Sequence, residues 1–275
     1  MTDSIEQQLH SAASWNVEQV SSLLRDHPDL DVNWGDGRTA LHTAASNNKP
    51  AIVKLLLAHP NINVNLRGST GKTPFSLGCY HGHLSVFRLF LNDPRVNVTL
   101  EDTDGCSPLW CASRDGYREV IEWLIASGRD LGDIKNKKGT CWGGNEYYTA
   151  LEIARDFERT EVVSVLERFI DNPALTRHEL RGKLGVLDEL AAEVFALIVF
   201  LCDDLLQLRP PALTTTTIAS AAANRFFAIA SQLPMELQMI LCHRAFGSMK
   251  QNILRKDSET AFKSLARILR LFQSN

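Results

Sequence analysis

Features that define several large classes of protein are missing from this sequence of 275 residues. Its most apolar stretch, residues 191–202, contains Glu193 and is shorter than the roughly 20 residues that a membrane-spanning helix needs. The first ten residues are polar and lack the apolar core of a secretion signal. We therefore expect a buried helix at 191–202, no membrane partner, and a protein of the cytoplasm or, as the alternative, of the nucleus.

An excess of charge of one sign and a paired spacing of cysteines are missing as well. The 29 basic and 32 acidic residues give a net charge of −3, so we expect no nucleic acid as a partner. The six cysteines follow neither a disulfide framework nor the spacing of a structural zinc site. Cysteines of this kind pack as small apolar groups and indicate a reducing compartment.

The short motifs of the common enzyme classes are also absent. The sequence has no Gly-x-Ser-x-Gly elbow, no His-Glu-x-x-His pair and no Gly-x-Gly-x-x-Gly fingerprint after a strand. The neighbouring acids Asp203 and Asp204 would point to different sides of a helix and could not share a substrate. We predict that the protein is not an enzyme and uses no cofactor, and we keep an unrecognised enzyme as the third hypothesis for its function.

What the sequence does contain is an internal repeat. Segments that begin at Thr39, Thr73 and Ser107 align position by position and start 34 residues apart. Each begins with a hydroxyl that can cap a helix, and in two of the three a proline follows at a position where its missing N–H costs nothing. A fixed period of this length predicts stacked helix pairs that bury one another's apolar faces. In the middle segment the predicted core residues are Phe75, Leu77, Leu89 and Phe90.

These segments resemble the ankyrin repeat. Residues 39–42 (TALH), 73–76 (TPFS) and 107–110 (SPLW) are similar to its T-P-L-H signature, and its period is about 33 residues. The resemblance implies an all-α solenoid of helix pairs in which a β-hairpin finger closes each unit. It also implies that the histidine of the signature, His42, forms a hydrogen bond between units. Trp110 replaces that histidine in the fourth unit and predicts apolar packing there.

The repeat frame divides the chain into two predicted domains, residues 1–173 and 174–275. The first holds five units: an atypical one at 4–34, three regular ones at 35–68, 69–102 and 103–136, and a fifth whose signature starts at Thr149. This last start lies 42 residues after the previous one, and the additional residues, 141–148, fall in the finger between units four and five. The second domain is a helical C-terminal region of about four helices, predicted at 187–208, 218–233, 234–247 and 257–271.

Two short patterns inside the third unit allow other interpretations. Residues 68–73 (GSTGKT) resemble the end of a nucleotide-binding P-loop, but Leu66 stands where the first glycine of that motif belongs. Cys79, His81 and His83 lie close enough in sequence to suggest a metal site, but no fourth ligand follows at a fixed spacing. Both patterns also fit the repeat frame, so we predict neither a nucleotide nor a metal.

One segment of the C-terminal region allows a second function. Residues 233–241 (LPMELQMIL) loosely resemble the start of an F-box and of related C-terminal domains in ankyrin proteins, which dock on a ubiquitin-ligase scaffold protein. The resemblance implies a substrate adaptor of a ubiquitin ligase as the alternative function. The same residues also suit any helix that begins with proline followed by an acid.

The main function that the ankyrin resemblance implies is non-catalytic binding of a protein partner. Ankyrin arrays hold partners on their concave face, through the exposed side of the first helices and through the finger tips. Tyrosine, arginine and histidine at such places can anchor a partner. The candidate residues are Arg38, Asn48, Lys72, Tyr80, His81, Arg114, Tyr117, Trp142, Tyr147, Tyr148 and Arg155, and Lys49, His83 and Asp115 match the same frame.

The enlarged finger, residues 139–148, is rich in aromatic residues. Trp142, Tyr147 and Tyr148 lie within seven residues of a chain that is only 8% aromatic. Apolar ring surface in water is unfavourable by about 25 cal/mol per Å², so we expect these rings to be covered. Either the first helix of the C-terminal region or a separate partner could cover them. We therefore predict an ordered and functional finger.

Overall fold

A computed structural model describes residues 3–35, 37–140, 144–202, 226–227, 230, 232–246, 253–254 and 257–263. The chain forms two compact units, Met1–Leu180 and Arg181–Asn275. The first unit contains the five predicted helix pairs. Its first helices are α1 (Ile5–Ala12), α3 (Ala40–Ser46), α5 (Pro74–Tyr80), α7 (Pro108–Asp115) and α9 (Ala150–Asp156). Its second helices are α2 (Val17–Asp26), α4 (Pro50–Leu57), α6 (Leu84–Leu91), α8 (Arg118–Ser127) and α10 (Thr160–Asp171).

The repeat frame correctly predicts where the first helices begin. The side chains of Thr39, Thr73, Ser107 and Thr149 each accept a hydrogen bond from the backbone N–H three residues later, which satisfies a free donor of the first turn. The first helices pack on one another in one row, α1 to α9, and the second helices pack in another, α2 to α10. The predicted helix-pair solenoid is confirmed.

The core of the third unit is built from three phenylalanines. Phe75, Phe87 and Phe90 are fully buried, and the ring of Phe75 lies 5.5 Å from that of Phe87 and 6.4 Å from that of Phe90. The prediction was right for Phe75 and Phe90 but wrong for Leu77 and Leu89, which are only half-buried. On α6 the buried stripe follows Phe87 and Phe90, and Leu89 is turned about 100° away from Phe90 around the helix.

Arginine side chains join the second helices of neighbouring units. Arg95 donates a hydrogen bond to the carbonyl of Leu57, the last residue of α4, at 2.7 Å. Arg129, 34 residues further on, donates to the carbonyl of Leu91 at 3.3 Å, and Leu91 is the last residue of α6. The C-terminal carbonyls of a helix lack partners within the helix and carry its partial negative charge, so a cation there is favourable.

A further helix, α11 (Pro173–Lys183), follows the fifth pair and was not predicted. Its Arg177 donates to the carbonyl of Ile125 at 3.2 Å, the position that corresponds to Leu57 and Leu91 in the earlier units. Thr176 is buried and donates from its hydroxyl to the carbonyl of Arg168 at 2.8 Å. Residues 173–180 therefore close the row of second helices.

In units two to five the chain reverses between the two helices with a residue at positive φ. Gly82 and Gly116 have φ of 64° and 80°. The corresponding residues of units two and five are Asn48, with φ of 52°, and Glu158, with φ of 54°. Glutamate carries a Cβ that is strained in this region, whereas glycine is not.

Replacing Glu158 with glycine is therefore expected to stabilise the protein, by about 0.5 to 1 kcal/mol. Glu158 is exposed, so no packing is lost. The measurement is the midpoint of urea unfolding followed by circular dichroism. The control is Asp156→Gly, at the exposed last residue of α9, where glycine should instead destabilise by a similar amount. A lower midpoint for Glu158→Gly would show that the turn does not have this conformation.

The fingers are shorter than predicted, except the enlarged one. In the enlarged finger, β1 (Gly139–Thr140) pairs antiparallel with β2 (Tyr147–Tyr148). In the finger at 68–72 the backbone N–H of Gly68 donates to the carbonyl of Lys72 at 2.8 Å, and no strand is assigned there.

The second compact unit contains α12 (Val186–Cys202) and α13 (Met235–Ala245), and residues 257–263 are also helical. On α12, Ala191, Phe195 and Ile198 are buried and pack with Phe226, Phe227, Met239 and Phe262 of the same unit. The predicted helix at 218–233 lies mostly outside the described residues. Among the described residues, no helix is long and apolar enough to cross a membrane.

Candidate functional site

In two of the units, the fourth residue of the repeat signature forms a hydrogen bond to the following unit. Nδ1 of His42 accepts from the backbone N–H of Thr39, so Nε2 carries the proton and donates to the carbonyl of Lys72 at 3.1 Å. Burial lowers the pKa of His42, which keeps the ring neutral in this role. The predicted hydrogen bond between units is confirmed.

Trp110 takes over that function in the fourth unit. Its ring is buried among Cys106, Cys111 and Ile153, and its Nε1 donates to the carbonyl of Tyr148 at 2.8 Å. Our prediction of apolar packing was thus incomplete, because the indole supplies both the packing and the hydrogen bond. Tyr148 precedes Thr149 as Lys72 precedes Thr73, so the insertion is contained in the finger and the repeat frame resumes at Tyr148.

Lys72 forms a largely buried ion pair with Asp102, which lies in the next finger along the chain. The ammonium nitrogen lies 2.5 Å from Oδ2 of Asp102, and the exposed fractions of the two side chains are 18% and 2%. Burial by itself lowers the pKa of Lys72, but the hydrogen bond and charge of Asp102 outweigh it and raise the pKa. Oδ1 of Asp102 accepts from the backbone N–H groups of Asp104 and Cys106.

Tyr80 lies between two cations. The ammonium of Lys72 is 5.3 Å and the guanidinium of Arg114 is 4.9 Å from the centre of its ring, both within cation–π distance. Arg114 is buried and pairs with Asp115 through two hydrogen bonds of 2.9 and 2.7 Å, which raise the pKa of Arg114. The ring of Tyr80 is half-buried, and both cations contact it.

Tyr117 extends this surface towards Gly82. Its ring atoms lie 2.5 Å from the point where a Cβ of residue 82 would stand. Any larger residue at position 82 would therefore collide with Tyr117, and the positive φ at this position favours glycine as well. Burial and the charge of Asp115 raise the pKa of Tyr117. We call Lys72, Tyr80, His81, Arg114 and Tyr117 the first-helix surface, because four of these residues lie on α5, on α7 or in the turn that follows each helix.

Residues equivalent to Tyr117 in the neighbouring units stabilise the stacking of units. Nε2 of His83 donates to the carbonyl of Ser46 at 3.0 Å, and Nε of Arg159 donates to the carbonyl of Arg114 at 3.0 Å. Each of these bonds reaches the end of the first helix in the preceding unit. His83 therefore has a structural function, and only its remaining surface is open to a partner.

The arrangement around His81 does not suit a metal. Its ring stacks on that of His83 at 5.4 Å, and its Nε2 lies 3.3 Å from the hydroxyl of Ser46. Cys79 is fully buried, and burial raises the pKa of its thiol well above the ordinary value, which disfavours the thiolate that a metal binds. Among the residues that the structure describes, no three His, Cys, Asp or Glu side chains are placed to hold an ion.

In the segment that resembles a P-loop, the groups that such a loop would turn towards a phosphate form contacts within the protein instead, as Lys72, Gly68, Gly71 and Thr73 show. Its lysine, Lys72, is paired with Asp102. The backbone N–H of Gly68 donates to Lys72 and that of Gly71 donates to Gly68. The hydroxyl of Thr73 caps α5. These contacts fit the interpretation of residues 68–73 as a junction between finger and helix.

The other predicted site residues do not belong to the five residues of the first-helix surface. Arg38 is exposed just before α3, and Asn48 is exposed in the turn between α3 and α4. Arg155 is exposed and pairs with Glu167 at 2.6 Å. Tyr147 is 61% exposed in the chain alone, so its expected cover by a partner stays a prediction, whereas Tyr148 is half-buried against Trp110. Trp142 lies outside the described residues.

Sequence reasoning missed Trp15, which has the most exposed of the large apolar side chains in the described part of the chain, with 69% of its surface accessible. It lies in the turn between α1 and α2, the counterpart of the turns that carry Lys49, His83 and Tyr117. An aromatic residue directly after the first helix of an otherwise polar unit was the available signal, and the irregular spacing of the first unit obscured it.

A family model described as ankyrin repeats (3 copies) matches this chain over residues 9–102 and over residues 61–136. Residues 9–136 are ankyrin repeats. No curated protein matches the chain. Ankyrin repeats are in general non-catalytic protein-interaction modules, and the α3–α4, α5–α6 and α7–α8 pairs described above are the units that the match covers in full.

Proposed function

We propose that this ankyrin repeat protein is a non-catalytic module that binds a protein partner across the first-helix surface. The supporting observation is the half-buried ring of Tyr80 between Lys72 and Arg114, with Tyr117 beside it. Tyrosine and arginine dominate the binding energy of protein interfaces, and rings held in place before binding lose little conformational freedom. Trp15 and Tyr147 extend the apolar area available to a partner.

The experiment that tests this proposal is capture from a native lysate on the immobilised full chain, with the bound proteins identified by mass spectrometry. Tyr80→Ser and Tyr117→Ser should each reduce recovery of a specific partner at least tenfold. The matched control is Trp123→Ser. Trp123 is also a half-buried aromatic residue beneath an arginine, Arg88 at 4.1 Å, but it lies on the second-helix row.

Circular dichroism melting distinguishes a lost contact from a lost fold. All three variants should keep a cooperative transition within several degrees of the parent protein. Equal recovery by the Tyr80, Tyr117 and Trp123 variants would contradict the proposed surface. Loss of recovery for Trp123→Ser alone would move the site to the second helices.

A second candidate function, the ubiquitin-ligase adaptor, concerns the start of α13. Met235 and Leu237 are about half exposed or more in the first turn of this helix, so their apolar side chains are available to a partner. If the segment acts as an F-box, the same capture should recover a ubiquitin-ligase scaffold protein. The double variant Pro234→Ala, Leu237→Ala should release that protein while leaving the partner of the first-helix surface bound. Recovery of no such scaffold protein would leave α13 with a structural function only.

A further inference from the structure

The chain has a long segment without any acidic residue. No Asp or Glu lies between Asp36 and Asp93, whereas the segment 37–92 contains six Lys and Arg residues and four histidines. The net charge of this segment is +6, so the rest of the chain, with 23 basic and 32 acidic residues, carries −9. The small overall charge of −3 therefore hides a basic segment that corresponds to the second and third repeat units.

Three of the six cations in this segment are committed to internal contacts. Arg67 donates to the carbonyls of Gly71 and Glu101, Lys72 pairs with Asp102, and Arg88 stacks on Trp123. The charged ends of the other three form no hydrogen bond or ion pair with any residue that the structure describes. These three are Arg38, Lys49 and Lys54.

Arg38 and Lys49 border the first-helix surface. Arg38 is near enough to His81 that its charge, after burial and the charge of His83, lowers the pKa of that histidine. Lys49 is the N-cap residue of α4, three residues after Ser46, which contacts both His81 and His83. Lys54 is exposed in the middle of α4 and belongs to the second-helix row.

Two acids beside this surface, one from the third unit and one from the fourth, are already neutralised. Asp102 is paired with Lys72, and Asp115 with Arg114. The first-helix surface therefore combines half-exposed aromatic rings with unneutralised positive charge at the side formed by units two and three. An anionic group that approaches Arg38 and Lys49 meets no uncompensated carboxylate among the described residues of those two units.

We infer that the partner segment recognised by the first-helix surface is an acidic peptide, with carboxylates facing Arg38 and Lys49 and an apolar or aromatic side chain facing Tyr80 and Tyr117. This inference rests on the proposed function and adds the chemistry of the partner. Duplex nucleic acid and anionic membranes fit less well, because both are bound by wide arrays of cations, whereas two free cations flank the rings here. Opposite charges of this kind raise the rate of association and suppress wrong partners.

The test uses the full chain and a fluorescein-labelled 16-residue peptide that contains eight Glu and Asp residues and two tyrosines. A peptide with Gln and Asn in place of every acid is the ligand control. Fluorescence anisotropy at 50 mM salt should show binding of the acidic peptide at least tenfold tighter than of the neutral one. Raising the salt to 200 mM should weaken binding of the acidic peptide several-fold, since exposed charges are screened.

Charge-reversal variants locate the site. Arg38→Glu and Lys49→Glu should each weaken binding of the acidic peptide about threefold or more, and the double variant at least tenfold. Lys54→Glu is the matched control, because it makes the same change of charge within the same unit but on the second-helix row, and it should change binding less than twofold. Equal losses for all three substitutions would overturn the inference, since only net charge would then matter.

Two further ligands separate this inference from its competitors. A labelled 20-base-pair DNA duplex and vesicles containing phosphatidylserine are measured under the same conditions. Tighter binding of either one than of the acidic peptide, reduced by the Arg38 and Lys49 variants, would overturn the acidic-peptide assignment. If the peptide does not bind, but a partner captured from lysate depends on Tyr80 and Tyr117, the inference fails and the proposed function stands.

Discussion

Replacing Phe90 with alanine is expected to lower the free energy of unfolding by about 3 to 5 kcal/mol. Phe90 is fully buried on α6, and its ring meets that of Phe75 edge to face. Truncation removes the apolar contact and leaves a cavity between the two helices of the third unit, which close packing with Phe87 prevents from collapsing. The loss is comparable to the total stability of many small domains.

The measurement is urea unfolding followed by circular dichroism, and the slope of the transition is determined together with its midpoint because stacked units can unfold separately. Leu89→Ala is the matched control on the same helix. Its side chain is half-buried, so it should cost about 1 kcal/mol. Equal losses for the two variants would mean that α6 is rotated from the orientation described here.

Replacing Asp102 with alanine is the second change with a large expected effect, a loss of about 3 to 5 kcal/mol. The substitution leaves the ammonium of Lys72 largely buried without its counterion, and two backbone N–H groups, those of Asp104 and Cys106, without an acceptor. The finger that precedes α5 and the finger that precedes α7 would lose the contact that joins them.

Asp102→Asn separates the contribution of the negative charge from that of the two backbone hydrogen bonds. The amide oxygen can still accept from the backbone N–H groups, but the negative charge is gone, so this variant should lose about half as much stability. Asp26→Ala is the control for an exposed pair, since both Asp26 and Arg25 are mostly in solvent and the expected change is below about 0.5 kcal/mol. A loss for Asp102→Ala as small as that of the control would show that the two fingers are not coupled through this pair.

The sequence was sufficient to predict features that repeat. Two kinds of residue recur at one spacing: the capping hydroxyls of Thr39, Thr73 and Ser107, and the turn glycines Gly82 and Gly116. Capping and turning depend only on local backbone geometry, so the repeat alone was enough to predict them. Helix α11 could also have been predicted, because Asn172 and Pro173 stand at the cap and first positions of a helix, and the side chain of Asn172 does accept from the N–H of Leu175.

Contacts between units could not be predicted in the same way. The bond of Trp110 to Tyr148 spans an insertion, and the periodic pattern does not say how the finger accommodates eight additional residues. The Lys72–Asp102 pair depends on how closely one finger lies on the next. The half-burial of Leu77 and Leu89 depends on the rotation of short helices, which a few apolar residues specify poorly.

The basic segment at 37–92 was visible in the sequence, but net charge over the whole chain concealed it. A sum over 275 residues cancels local excesses of opposite sign, whereas a partner senses only charges within about 10 Å at ordinary salt. Charge counted over each repeat unit, the size of structure that a partner contacts, is therefore the better quantity for a solenoid.

Hydrogen–deuterium exchange of the full chain, free and in complex with the partner recovered by capture, tests the central claim most directly. The account predicts slower exchange on binding in the turns after α3, α5 and α7, which contain Asn48, Gly82 and Gly116, and unchanged exchange in the turns that follow the second helices α4, α6 and α8. Slower exchange confined to the second-helix row or to residues 181–275 would contradict it.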